Sequence, residues 1–190
     1  MELFRTAAEA RGRPHALLLV TKGGPAECKP LMDAKPCRNV IVSFSVNSRK
    51  AAARYERGAA TVRQRLLAAA ELKRRGWRVR IRMDPMIAGY DYTRLLAQVR
   101  ALAPERVTLG TLRAEPNLTR RIGNGIFSAL EPSPRPNGLA RYPKAVRLAL
   151  YRQAIAALGK LCTIGLCEET PDIWEALRLD AEAKACNCNN

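Results

Sequence analysis

One stretch constrains the fold more than any other. Over residues 78–83, three apolar side chains alternate with arginines, and this period of two predicts a strand with one face in a hydrophobic core. Pro85 cannot donate a hydrogen bond within a sheet and disfavours helix at Asp84, so the strand is predicted to end there. Residues 86–90 would then form a loop at the carboxyl end of a strand, where ligands bind in folds with parallel strands.

Three further segments have the composition of strands. Residues 16–20 and 39–46 are apolar runs that favour strands buried on both faces, as in a parallel sheet. Residues 106–112 predict a fourth strand, in which Gly110 indicates a bulge or a close backbone approach. Helical periodicity is found before, between and after these strands, at residues 2–12, 49–55, 61–75, 92–102, 142–158 and 171–177.

The alternation of strands and helices is typical of parallel strands joined by right-handed crossovers. A closed eight-stranded barrel needs about 250 residues, whereas this chain has 190. We therefore predict an α/β fold, a partial parallel (β/α) barrel of about four strands, over residues 1–130. Residues 131–190 are predicted to add a Pro-rich linker, an amphipathic helix and a cysteine-containing tail, with a short last strand at residues 160–166.

The charge balance indicates a class of partner. The chain carries 33 Lys and Arg against 17 Asp and Glu, a formal net charge of +16, which favours polyanions and nucleic acid above all. The alternative is compositional, because the basic residues are spread over every predicted helix. Aromatic residues make up 5% of the chain, which gives little support to a base-stacking surface. No apolar run approaches the roughly 20 residues of a membrane helix, and a cytoplasmic location without membrane contact is expected.

Polar side chains follow or end each of the four predicted strands. They are Thr21, Lys22, Ser45, Asn47, Asp84, Thr111 and Arg113. Because the carboxyl ends of parallel strands meet at one edge of the sheet, these groups are predicted to form a site for a small charged ligand. The alternative is that strand ends are simply polar.

Four of the six cysteines lie near the end of the sequence, at Cys162, Cys167, Cys186 and Cys188. They could gather around zinc or an iron–sulfur cluster, although their spacing is not that of a C-x2-C…C-x2-C site. The alternative is a buried Cys162, a loop Cys167 and a tail of free thiols. The neighbouring pair Glu168 and Glu169 is most simply interpreted as charge in a solvated loop or at a helix N-terminus.

Several segments together resemble spore photoproduct lyase and its radical SAM relatives. These are LLVTK at residues 18–22, FSVN at 44–47, the Gly76-Trp77 turn with the strand after it, and the helical block at residues 58–77. The resemblance covers Leu17 to Arg113, and GLCEETPDIW and CNC are similar to endings in an uncharacterised branch of the family.

The resemblance implies a partial barrel of the radical SAM type that binds S-adenosylmethionine and a [4Fe–4S] cluster. In the lyase, a 5′-deoxyadenosyl radical attacks a thymine dimer in DNA. By motif match, Lys22 and Ser45 would contact S-adenosylmethionine with help from Asn47, and a Lys and a Ser hydroxyl suit a carboxylate ligand. We count Asp84 and Arg113, from the strand-end set, as further cofactor-binding residues.

One departure from the family is large. The family holds its cluster with a C-x3-C-x2-C loop, and no such triplet occurs here, since Cys28 and Cys37 are too far apart. We therefore expect the carboxyl-terminal part of a radical SAM enzyme, inactive alone, whose partners would be a missing amino-terminal half or partner chain and DNA. The missing strands would leave an exposed sheet edge. The alternatives are a basic non-enzymatic module that binds nucleic acid, and a small metal-binding domain that uses the tail cysteines.

Overall fold

The computed structural model describes residues 2–10, 15–118 and 125–183. A five-stranded, fully parallel sheet forms its centre, and a separate pair of short antiparallel strands follows the fourth strand. The strands are β1 (Leu17–Thr21), β2 (Val40–Ser45), β3 (Arg78–Met86), β4 (Arg106–Thr111), β5 (Arg113–Ala114), β6 (Ala140–Arg141) and β7 (Thr163–Leu166). The order in the large sheet is β1-β2-β3-β4-β7, so each strand lies beside the next one along the chain apart from the inserted β5–β6 pair.

The described helices alternate with these strands. They are α1 (Glu2–Ala10), α2 (Lys29–Asp33), α3 (Arg49–Tyr55), α4 (Val62–Arg74), α5 (Thr93–Leu102), α6 (Lys144–Leu158) and α7 (Pro171–Ala176). α4 shows how the sequence sets its ends. Thr61 and Gln64 form a capping box at its start, and Gly76 follows its end with a φ of +91°, a value that glycine adopts without strain. α4 packs on β2 and β3, and α6 packs on β4.

The two faces of the sheet differ in chemistry, as the alternation in residues 78–83 predicts. Val79, Ile81 and Met83 are buried in the hydrophobic core. Alternate residues of β2 and β4 join them there, namely Val40, Val42, Phe44, Val107 and Leu109. The intervening positions bury polar side chains, including Ser43, Arg80 and Thr108. Successive side chains of a strand point to opposite faces, so the sheet has an apolar face and a polar face. The interpretation of residues 78–83 as a strand with one face in the core is therefore confirmed.

Three expectations about the strands need correction. β3 does not end at Asp84 but runs to Met86, because its pairing with β4 shifts register between Met83 and Met86, where Pro85 is not required to donate a ladder hydrogen bond. β1 is not buried on both faces, because it is an edge strand, and Val20 is 53% exposed. The sheet has five strands rather than four, because the predicted strand at residues 160–166 forms as β7 and pairs with β4.

The α/β class and the open, parallel arrangement are confirmed. Among the described strands, β1 and β7 do not pair with each other, so the sheet does not close into a barrel. Of the helices in the described ranges, none combines the length and the apolar character needed to cross a bilayer. The division of the chain at residue 130 stays a prediction.

Candidate ligand site at the carboxyl edge of the sheet

The parallel sheet brings the predicted polar residues to one edge. Lys22 directly follows β1, Ser45 is the last residue of β2, and Asp84 lies near the end of β3. Asn47 and Arg113 lie in the segments after β2 and β4. Hydrogen bonds and ion pairs divide these residues into two groups, one around β1 and β2 and the other around β3, β4 and β7.

Lys22 belongs to an ion-pair chain beside β1 and β2. Its Nζ lies 3.2 Å from Glu56 Oε1, and the Lys22 side chain is 47% exposed. The other carboxylate oxygen of Glu56 accepts a hydrogen bond from Arg65. Burial would raise the pKa of Glu56, but the hydrogen bond and charge of Arg65, helped by Lys22, hold it below its ordinary value. Glu56 is therefore ionised at neutral pH and orients the Lys22 ammonium.

Arg65 holds the end of β2 in place. It is almost fully buried, its Nη1 donates to the Ser45 carbonyl oxygen at 3.0 Å, and its Nε donates to the Ala60 carbonyl oxygen at 2.7 Å. The Ser45 side chain is used differently, since its Oγ has no hydrogen-bond partner among the described residues. A hydroxyl that is free among the described residues and a half-exposed ammonium on the neighbouring strand end are together suited to binding an anionic group.

Asn47 connects the loops that follow β2 and β3. Its Nδ2 donates to the Pro85 carbonyl oxygen at 2.9 Å, and its Oδ1 accepts hydrogen bonds from Ser48 N and from the Tyr92 hydroxyl, both at 2.8 Å. The same hydroxyl accepts a hydrogen bond from Ile87 N at 2.6 Å. Tyr92 is fully buried, and burial raises its pKa well above the ordinary value. Asn47 is thus placed to position two loops.

The second group is a cluster of paired charges around Asp84. Arg113 donates from Nη1 to Asp84 Oδ1 at 2.7 Å and from Nη2 to Oδ2 at 3.2 Å, and Arg82 also donates to Oδ2. Arg113 Nε reaches Glu168 at 2.8 Å. Burial would raise the pKa of Asp84, but the guanidinium groups of Arg113 and Arg82 keep it below its ordinary value. Burial would likewise lower the pKa of Arg113, yet Asp84 raises it.

Gly110 explains how Asp84 fits into this cluster. A Cβ at Gly110 would lie 2.2 Å from Asp84 Oδ1 and 2.6 Å from its Cγ. The Asp84 side chain therefore lies directly on the backbone of β4, which is the close approach that a glycine inside a predicted strand indicates. That prediction for Gly110 is confirmed.

A buried network supports the cluster from α6. Glu169 accepts hydrogen bonds from Arg147 and from the Tyr151 hydroxyl, the latter at 2.8 Å, and its side chain is 1% exposed. The Tyr151 hydroxyl accepts in turn from Thr111 N at 3.0 Å. The prediction of a solvated loop charge is therefore wrong for Glu169, because tertiary packing brings α6 over it, whereas Glu168 is 60% exposed. Glu169 does directly precede Thr170 at the start of α7, which agrees with the alternative of a charge at a helix N-terminus. Two adjacent glutamates give no sequence signal that separates these roles.

The cysteines predicted as metal ligands do not meet within the described part of the chain. Cys162 precedes β7 and Cys167 follows it, so an extended strand at roughly 3.3 Å per residue separates them. Cys167 Sγ instead accepts a hydrogen bond from Arg82 Nη2 at 3.2 Å and lies 3.6 Å from Arg113 Nη2. Residues 186 and 188 lie outside the described residues. Within residues 2–10, 15–118 and 125–183, no set of three or more His, Cys, Asp or Glu is arranged to hold a metal ion.

Comparison with known proteins gives a likeness of fold. No family model and no curated protein matches the sequence. Solved structures of spore photoproduct lyase do match. The complex with a dinucleoside spore photoproduct has a TM-score of 0.67 at 18% identity, over 86% of this chain and 55% of the lyase chain. The chain shares its fold with spore photoproduct lyase.

Two further lyase structures give the same result. A Cys-to-Ala variant with a dinucleoside spore photoproduct has a TM-score of 0.69 at 18% identity, over 88% of this chain and 56% of the lyase chain. A double variant with bound AdoMet and dinucleoside spore photoproduct has a TM-score of 0.64 at 19% identity, over 86% and 55%. This chain therefore spans a little over half the length of the structures that it matches.

Proposed function

We propose that this chain forms the carboxyl-terminal part of a radical SAM-type enzyme resembling spore photoproduct lyase, and that it binds S-adenosylmethionine at the carboxyl edge of its sheet. The observation that carries the proposal is that two donors lie on adjacent strand ends: the half-exposed Lys22 ammonium and the Ser45 hydroxyl, which has no hydrogen-bond partner among the described residues. The shared fold with a lyase structure that contains AdoMet supports it. DNA is the proposed substrate class, since other lyase structures contain a dinucleoside photoproduct.

The residues fit the carboxylate end of S-adenosylmethionine. An ammonium and a hydroxyl are both donors, and a charge-assisted hydrogen bond to a carboxylate is about twice as strong as a neutral one. Glu56 and Arg65 would position the two donors, and Asn47 would hold the adjoining loops. S-adenosylmethionine held there would supply radical chemistry once it received an electron, and the described residues offer no set of ligands for a metal cluster that could donate one. We propose that Asp84 and Arg113 position the strand ends, because their hydrogen bonds to each other, to Arg82 and to Glu168 occupy most of their capacity.

The described residues do not fit an iron–sulfur cluster, because none of their potential ligands form a set of three. We therefore propose that a cluster, and the strand that would pair with β1, come from a segment or partner chain that carries the C-x3-C-x2-C loop. The half-exposed edge at β1 supports this. An in-frame coding segment for such a loop upstream of residue 1 would support the proposal, and an upstream stop codon with no such gene nearby would contradict it.

Isothermal titration of the chain with S-adenosylmethionine tests the binding site itself. We expect weak binding, with a Kd on the order of 0.1–1 mM, and a loss of about 10- to 100-fold in Lys22→Ala because a charged hydrogen bond is worth about 1.5–3 kcal/mol. Lys29→Ala is the matched control, since Lys29 also forms an ion pair but lies on α2. Equal binding by the wild type and Lys22→Ala, or no binding by the wild type, would contradict the proposed site.

A basic, non-enzymatic module that binds nucleic acid is the second candidate function. The net charge of +16 favours it. Salt-sensitive binding to DNA without any affinity for S-adenosylmethionine would select this candidate over the first. The metal-binding role of the tail cysteines stays a prediction, and Ser substitutions at Cys186 and Cys188 would test it by lowering the bound metal.

A further inference from the structure

Four of the chain's five tyrosines gather around the loop after β3. Tyr92 and Tyr142 are buried, and their hydroxyls accept hydrogen bonds from the backbone N–H groups of Ile87 and Ala88. They hold the loop that carries Tyr90. A low aromatic content argues against a base-stacking surface only if the few rings are scattered, and composition cannot report whether they cluster.

Tyr55 and Tyr90 form the outer part of this cluster. Their ring centroids lie 6.2 Å apart with the planes at 79°, an edge-to-face pair. Tyr55 is 40% exposed, and the Arg54 guanidinium lies 5.4 Å from the centre of its ring. Because the guanidinium lies over one face of the ring, a flat aromatic ligand would stack on the opposite face of Tyr55.

A cationic groove continues from Tyr90 between α3 and α5. It has a volume of about 670 Å³, and its charged lining residues are Arg49, Lys50, Arg94 and Asp91. At the start of α5, the Asp91 carboxylate accepts a hydrogen bond from Thr93 N at 2.9 Å, so one of its acceptor positions is already used. None of the three cations forms an ion pair within 4.0 Å among the described residues, and the charge of Lys50 contributes to lowering the pKa of Asp91, so the groove holds three cations against one carboxylate. The groove is therefore positive and is large enough for a nucleotide.

We propose that Tyr55, Tyr90 and the groove lined by Arg49, Lys50 and Arg94 bind a single-stranded segment of nucleic acid. One base would stack on the exposed Tyr55 ring, and the phosphates on either side of it would lie over the three cations. This surface lies next to the candidate ligand site, and Asn47 and Tyr92 lie between the two. This inference rests on the proposed function, from which it takes DNA as the ligand class. It adds the surface on which the DNA lies and the requirement that the DNA be single-stranded.

The tyrosines distinguish this surface from one that merely attracts polyanions. Positive charge binds duplex DNA, single strands and heparin alike, with an affinity that falls as salt rises. A tyrosine ring adds a contact that needs an accessible base face, and each stacked base is worth about 1–3 kcal/mol. A single strand with bases should therefore bind more tightly than a duplex or an abasic strand of equal length.

Fluorescence anisotropy with a labelled oligothymidylate of about 12 nucleotides tests the proposal, in buffer without S-adenosylmethionine. We expect Tyr55→Ala to weaken binding by about 5- to 100-fold, and Tyr55→Phe, which keeps the ring, to bind within about threefold of the wild type. The double substitution Arg49→Ala with Lys50→Ala should reduce the slope of log affinity against log salt by about 1.4, since each phosphate contact contributes about 0.7 for single strands.

Arg100→Ala is the matched control for charge, because Arg100 is an exposed arginine on the same helix as Arg94 but outside the groove. It should leave binding unchanged. Unaltered affinity in Tyr55→Ala, or equal affinity for an abasic strand or a duplex, would overturn the proposal. The two proposals can fail separately, because this assay contains no S-adenosylmethionine, and the titration of Lys22→Ala contains no nucleic acid.

Discussion

The two halves of the carboxyl edge use their charged groups in opposite ways. Beside β3, β4 and β7, Asp84 and Arg113 are largely buried and bonded to each other and to their neighbours. Beside β1 and β2, the Lys22 ammonium is half-exposed and the Ser45 hydroxyl has no partner among the described residues. We call these the paired half and the open half.

This difference indicates that the paired half positions the strand ends and that the open half binds the ligand. A buried charge whose hydrogen bonds are already made cannot turn to a ligand without a large cost, so the paired half fixes the strand ends. A half-exposed charge has little to lose, and it can form a new hydrogen bond when a ligand arrives. On this account, substitutions in the paired half should affect stability first, and substitutions in the open half should affect binding first.

The largest effect is expected for Asp84→Ala in the paired half. Removal of the carboxylate leaves the guanidinium groups of Arg82 and Arg113 without their main partner, and breaking a buried ion pair on one side costs about 3–5 kcal/mol. Urea unfolding followed by circular dichroism measures it. Glu168→Ala removes the exposed partner of the same arginine and should cost less than about 1 kcal/mol. Equal costs for the two variants would contradict the division into halves.

Gly110→Ala is expected to have the next largest effect. The added Cβ would overlap Asp84 Oδ1, and overpacking of a buried site costs about 1–3 kcal/mol. In an Asp84→Ala background the overlapping carboxylate is absent, so Gly110→Ala should cost less there, with a coupling energy of about 0.5–3 kcal/mol in the double-mutant cycle. Additive costs would show that the two residues do not meet.

Tyr92→Phe tests the network of uncharged hydrogen bonds around Asn47, which connects the loops beside the open half. The substitution leaves the Ile87 N–H buried without its hydrogen-bond acceptor, which should cost about 1–2 kcal/mol in the free energy of unfolding. Tyr55→Phe is the control, since it removes a hydroxyl from an exposed ring and should change stability by less than about 0.5 kcal/mol. If Tyr92→Phe were as harmless as Tyr55→Phe, the Asn47 network would not position these loops.

The dependence of the free energy of unfolding on pH should reflect the titration of one carboxylate from each half. Asp84 and Glu56 have pKa values below their ordinary ones in the folded chain. Their contribution is therefore fully present above the unfolded values of about 4 and is lost as the pH falls through the folded values. Unfolding titrations should give a free energy that is level from about pH 7 to pH 5 and falls below about pH 4. Asp84→Asn should make the fall shallower, and an unchanged acid limb would argue against its ion pairs.

The sequence predicts the strands of this fold better than it predicts the site. Alternation and apolar runs place β2, β3 and β4 because one face of each strand must enter a core. Gly110 is predictable for the same local reason. By contrast, Arg65 and Glu169 have no local signal, because only the packing of α4 on β2 and of α6 on β4 buries them. The tyrosine cluster likewise joins residues from three separate segments, which periodicity cannot bring together.

The most direct test of the two-half account is amide chemical-shift mapping of an ¹⁵N-labelled chain during titration with S-adenosylmethionine. The shifts should concentrate in the segments at Thr21–Gly24 and Ser45–Ser48, with little change around Asp84, Arg113 and Cys167. Lys22→Ala, which should cost less than about 0.5 kcal/mol in stability, should remove the shifts. Shifts centred on the ends of β4 and β7, or shifts that persist in Lys22→Ala, would contradict it.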